Sequence, residues 1–170
     1  MDKNILKALN DQMIREFFSS YLYLSMAAWF EKENLKGFSK WMKVQAWEEL
    51  GHAMKFFEFI TERGEKPELE KLEKPKVNWN SPLEVFEDAY EHEKFITKNI
   101  HELYKSAEEL NDYPTKIFLH WFIEEQVEEE NQTLTILDTL KKIEKSTSAL
   151  YHLDHKLSKR EFKKLNLKQE

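Results

Sequence analysis

Residues 36–63 read KGFSKWMKVQAWEELGHAMKFFEFITER, and this stretch decides the fold. Its apolar side chains recur at alternating steps of three and four, the spacing that lines one face of an α-helix. That face runs Phe38, Met42, Gln45, Glu49, His52, Phe56, Phe59, Arg63. It is apolar toward both ends and acidic in the middle. Glu49-x-x-His52 places a carboxylate and an imidazole on the same side of the helix.

Three more segments share the pattern. The first runs Ile5, Leu9, Met13, Glu16, Ser20, Tyr23, Ala27, Phe30. Another runs Phe86, Ala89, Glu93, Ile96, Ile100, Leu103, and the last Phe118, Phe122, Glu125/Gln126, Glu129, Thr133, Ile136, Leu140, Ile143. Breaks are marked by Asn34 and Gly37, by Gly64, Pro67 and Pro75, by Ser81-Pro82, and by Asn111-Asp112 with Pro114. Ser81 reads as an N-cap with proline at the first helical position. The expectation is all-α: helices at about 4–33, 36–63, 82–110 and 113–143, with a shorter one at about 147–165. The whole chain, 1–170, reads as a single domain. Leu150, Leu153, Leu157 and Phe162 are expected on one side of the fifth helix.

Short breaks after the first and third helices predict two antiparallel hairpins. The stretch 64–80 can extend to roughly 56 Å, enough to run the length of the bundle. It is therefore read as a crossover that makes the second and third helices parallel, with Leu69, Leu72, Val77 and Trp79 packing along the way. In that topology Glu16, Glu49, His52, Glu93, Gln126 and Glu129 lie about 16–25 Å from one end, at about 1.5 Å per residue. Carboxylates from four helices thus meet in one layer. Buried and ionised together, they need compensating positive charge, and no lysine or arginine occupies the seams nearby. A pair of divalent or trivalent cations would supply it. Oxygen ligands with one imidazole suit iron or manganese, and admit zinc. A metal-free layer of hydrogen-bonded polar groups is the competing reading.

Composition excludes other classes. Of 170 residues, 41% are hydrophobic and 14% aromatic, too many for a disordered chain, and 3 Gly with 4 Pro are too few for a turn-rich β fold. The absence of cysteine rules out disulfides, thiolate zinc, iron–sulfur clusters and a cysteine nucleophile. A net charge of −6 argues against nucleic acid as partner, and no apolar run is long enough for a membrane. The first eleven residues do not read as a secretory signal, and a reducing cytoplasm fits.

The stretches Arg15-Glu16 through Tyr23-Leu24-Ser25-Met26, Trp47-Glu48-Glu49-Leu50-Gly51-His52-Ala53 and Glu124-Glu125-Gln126-Val127-Glu128-Glu129-Glu130 resemble the signatures of the haem-free bacterial ferritins. The resemblance covers nearly the whole chain, including the long crossover and the short fifth helix. It implies a ferritin-like four-helix bundle that stores iron and oxidises Fe²⁺ with O₂ or H₂O₂ at an intrasubunit di-iron centre. Carried over, Glu16, Glu49 and His52 would hold one iron, with Glu49 bridging to a second held by Glu93 and Glu129. Gln126 would be an auxiliary group, and Tyr23 would stand beside the centre. A third iron nearby would take Glu48, Glu125, Glu128 and Glu129. Haem is not implied, because Leu50 stands where haem-binding relatives carry methionine. The resemblance also implies a shell of 24 identical subunits around a ferric oxide mineral. Lys116 and Leu119 match the three-fold channel positions that are acidic in animal ferritins. Glu130 is read as part of a solvated acidic face, and Trp47, Trp121 and Phe122 as core or subunit contacts. A non-storage di-iron or di-manganese carboxylate oxidase is the alternative function, and a metal-free helical interaction bundle a third.

Overall fold

The computed structural model describes residues 1–143 and 145–162. Among them are five helices and no strand: α1 (Lys3–Lys32), α2 (Lys36–Glu62), α3 (Pro82–Glu109), α4 (Tyr113–Ile143) and α5 (Thr147–Leu157). α1, α2 and α3 stop in the same way. Asn34, Gly64 and Asn111 adopt left-handed φ angles of 60°, 76° and 53°. At each stop the next amide reaches back to a carbonyl five residues earlier: Leu35 to Phe30 at 3.0 Å, Glu65 to Ile60 at 3.2 Å, Asp112 to Ala107 at 2.8 Å. These are Schellman closures, which satisfy carbonyls that a helix end leaves open. Ser81 caps α3 through the Glu84 amide, with Pro82 inside the first turn.

The core is two clusters, and their membership fixes the direction of every rod. One joins Met26 and Phe30 of α1, Phe38 and Met42 of α2, Phe86 and Ala89 of α3, and Ile136 and Leu140 of α4. The other joins Ile5 and Leu9 of α1, Phe56 and Ile60 of α2, Ile100 and Leu103 of α3, and Leu119 and Phe122 of α4. The end of α1 thus meets the starts of both α2 and α3, so α2 and α3 run parallel. Phe30 and Phe38 stack at 4.9 Å, and Phe56 and Phe122 lie 4.4 Å apart. Each such buried ring contributes roughly 1.5–3 kcal/mol.

The connection between α2 and α3 follows α1. The Glu68 amide donates to Asn10 Oδ1 at 2.7 Å, and Ser25 Oγ donates to the Lys76 carbonyl at 2.6 Å. Of Leu69, Leu72, Val77 and Trp79 only Trp79 is buried, its ring packed against Trp29 and its Nε1 donating to Asp88 at 2.8 Å. Leu72 is half-buried, whereas Leu69 and Val77 are exposed. Packing of all four was expected; backbone bonds to α1 hold this segment instead.

α5 ends at Leu157, short of the expected 165. Phe162 lies past the helix and is exposed rather than on its apolar side; residues 163–165 lie outside the described residues. α5 docks on the start of α2, where Leu35 offers no side-chain cap. Asp154 fills that role from α5, accepting from the Phe38 amide at 2.9 Å. Gly37 permits the approach, since a Cβ there would sit 1.7 Å from the Asp154 carbonyl oxygen.

Candidate metal centre

Between the two apolar clusters lies a buried polar layer: Gln12, Glu16, Gln45, Glu49, His52, Glu93, Gln126 and Glu129, each at most 4% exposed. Three sets of ligand atoms in and beside it close to 4.8 Å or less: Glu16, Glu49 and His52; Glu49, Glu93 and Glu129; and His52 and Glu129 with the partly buried Glu125. Glu49 belongs to the first two, so the two groups share one carboxylate. His52 Nδ1 lies 3.3 Å from Glu49 and its Nε2 3.9 Å from Glu125. The imidazole is walled by the edges of Trp121 at 5.3 Å and Phe122 at 6.0 Å.

Amides and one phenol hold the carboxylates in place. Gln12 Nε2 donates to Glu16 at 2.7 Å. Gln45 Nε2 donates to Glu49 at 2.9 Å and to Glu129 at 2.6 Å, tying α2 to α4. Gln126 Nε2 donates to Glu93 Oε2 at 3.2 Å, and the Tyr23 hydroxyl donates to Glu93 Oε1. Neither Gln12 nor Gln45 figures among the ligand residues read from sequence. Each stands four residues before an acidic ligand, the spacing at which helical side chains meet; that is the signal that could have found them.

The electrostatics follow from crowding. Burial first, then the Glu49 charge, pushes Glu16 and Glu129 up to about 8. Burial, with Glu49 and Glu129, holds Glu93 well above the carboxylate range. Burial opposes the charge on both Glu49 and His52, but their mutual attraction and hydrogen bond outweigh it. Glu49 is therefore lowered and His52 raised to about 10. Without metal, the layer is one Glu49–His52 ion pair among protonated acids. Burial and the neighbouring Glu93 charge hold the Tyr23 phenol well above its usual value.

Such a layer fits hard cations. Glu16 Oε2 and Gln45 Oε1 are buried with no hydrogen-bond partner, which is costly unless something else occupies them. The donor set is carboxylate oxygen with one imidazole and no sulfur, which suits iron, manganese or zinc.

Not every acid expected nearby joins in. Glu125 and Glu129 come together with His52. Glu48 is instead gripped by Arg160, and Glu128 is exposed and accepts from Gln132 at 2.7 Å. Glu130 accepts from Thr97 at 2.6 Å and is half-buried. Arg160 has no sequence signal, because it comes from beyond α5. Leu119 is fully buried in the core, and Lys116 pairs with Glu108 at 2.8 Å. Phe122 is core, as expected, while Trp47 and Trp121 are exposed.

The fold and this layer define a class: a four-helix bundle with a buried layer of carboxylates and one imidazole that could bind metal. The ferritin-like domain family matches residues 6–143. A bacterial non-heme ferritin of Staphylococcus aureus is 38% identical over 162 residues, spanning 95% of this chain and 98% of its own length. An open-pore ferritin of the hyperthermophilic archaeon Archaeoglobus fulgidus is 48% identical and superimposes with a TM-score of 0.94, over 95% of this chain and 99% of its own. A closed form engineered from the ferritin of that archaeon superimposes at 0.95, with 48% identity over 96% of this chain and 99% of its own. The chain belongs to the ferritin family.

Proposed function

We propose that this chain is an iron-storage protein with ferroxidase activity, folded as one ferritin-like domain. Its substrates are Fe²⁺ and O₂ or H₂O₂, and it deposits ferric oxide inside a cytoplasmic shell of 24 identical subunits. The observation that carries this reading is the sharing of Glu49 by two adjacent cation groups in the polar layer that splits the core. Family membership and the non-heme ferritin relative support iron as cargo, and no described helix is long and apolar enough to cross a membrane. The relatives described as open-pore and closed support a hollow assembly.

In this reading one Fe²⁺ is held by Glu16, Glu49 and His52, and its neighbour by Glu49, Glu93 and Glu129. Two Fe²⁺ each give one electron to O₂, and hard carboxylate oxygens favour the ferric product. Gln12, Gln45, Gln126 and Tyr23 orient the ligands before iron arrives, so little reorganisation is left to the reaction. The protons on Glu16, Glu93, Glu129 and His52 leave as iron binds, because the ligating forms are deprotonated.

Fe²⁺ added aerobically to the apoprotein should give ferric absorbance far faster than buffer alone. Glu49→Ala with His52→Ala should bring the rate to that of buffer. An unchanged rate in the double variant would sink the ferroxidase reading, and a stable monomer or dimer in solution would remove the container.

A further inference from the structure

Arg160 lies three residues beyond the end of α5 and reaches Glu48 in the middle of α2. The guanidinium sits 4.4 Å over the ring of Trp41, and its side chain is only 15% exposed. Glu48, at 8%, is covered by it. Glu48 directly precedes Glu49, the carboxylate shared by two of the cation groups. The Arg160 hold is incomplete, since its Nη1 is buried without a partner. A guanidinium kept by charge and one aromatic face, with a donor unsatisfied, is held yet exchangeable. Its anchor is firm: Asp154 is bonded to the Phe38 amide and packed on Gly37.

We propose that Arg160 is a tethered cation standing in for a third metal ion on the α2–α4 side of the centre. The guanidinium holds Glu48 Oε2, so a metal ion that takes that oxygen has to displace it. The inference rests on the di-iron reading above and makes Arg160 a positioning residue that limits the centre to two tightly held ions. Displacement opens the way for iron to leave toward Glu48, so docking of α5 becomes part of the control of iron transfer.

Zn²⁺, which undergoes no redox step, is titrated calorimetrically into the metal-free assembled protein and into Arg160→Gln. Both should bind two ions per subunit alike. The variant should bind a third about tenfold more tightly or better, the scale of one charge-assisted contact. In the wild type, the third ion should also shift the emission of Trp41 as the guanidinium leaves its ring. That step should vanish in Trp41→Phe and in Arg160→Gln. Equal third-ion affinity in wild type and Arg160→Gln, with two-ion binding intact, overturns the role of Arg160 alone. Third-ion binding to the wild type without a change at Trp41 overturns it as well, whether or not the variant folds. Loss of the first two ions from the wild type would overturn the di-iron reading, and this proposal with it.

Discussion

The Glu49–His52 pair is the charged nucleus around which the other acids keep their protons. Burial and the Glu49 charge push Glu16 and Glu129 up to about 8, burial holds Glu93 well above the usual carboxylate range, and His52 is raised to about 10. Metal loading at pH 7 should therefore release about four protons per subunit. Anaerobic Zn²⁺ addition to weakly buffered apoprotein, followed by pH-stat, measures this; release of fewer than one would mean that the centre is already ionised. The same shifts set how stability depends on pH. A carboxyl raised in the fold stabilises below its unfolded value near 4.3, and that contribution is lost as pH rises through about 8. His52 acts in the same direction, its contribution present below about 6.5 and lost through about 10. The apoprotein should thus need progressively less urea to unfold between pH 5 and 9, while the metal-loaded protein should not follow. At this scale the sequence was readable where a residue lay on a seam: Glu16, Glu49, His52, Glu93, Gln126 and Glu129 are all found where the helical period puts them. Gln12 lies outside the quoted seam, and its part emerges only when its amide is seen on Glu16.

Helices α1 to α3 were readable for a second reason, which is that their C-terminal ends are local chemistry. Asn34, Gly64 and Asn111 are residues that tolerate a left-handed backbone, and each stands where a Schellman closure needs one. α5 was less readable because its docking is not local. The cap on α2 comes from Asp154, 116 positions away, and no pattern within α2 announces it. Gly37 likewise looks like a mere helix breaker until the carbonyl of Asp154 is placed against it. Two substitutions separate these effects. Asp154→Ala removes a cap and should cost about 1 kcal/mol of stability. Gly37→Ala puts a methyl into the Asp154 backbone and should undock α5 altogether. Limited proteolysis would then cut after Ile143 in Gly37→Ala and leave Asp154→Ala largely intact. Equal resistance in both would mean that α5 is held by Leu153 and Leu157 rather than by this contact.

Across the whole molecule, the polar layer divides an apolar core that would otherwise be continuous. Two apolar clusters, each built from all four long helices, face each other across eight buried polar side chains. Without metal, the layer contributes an ion pair and several partly satisfied groups, which an apolar filling would outperform. In the proposed di-iron reading, metal bound by the same groups would clamp all four rods at mid-length. On that reading the fold gives up stability in the apo state for a site that cations complete. Zn²⁺ held at one hundred times its dissociation constant should stabilise the protein by about 2.7 kcal/mol, and a chelator should reverse it. Replacing Glu16 and Glu93 together by leucine should do the opposite on both counts. It should raise apo stability by about 1–4 kcal/mol, and it should sharply reduce the zinc-dependent gain, because the two cation groups that share Glu49 each lose one of their three ligands. Denaturant unfolding with and without Zn²⁺ reads both numbers in one series. A doubly substituted protein less stable than the apo wild type would show that the layer is a structural network in its own right, with metal binding secondary to it.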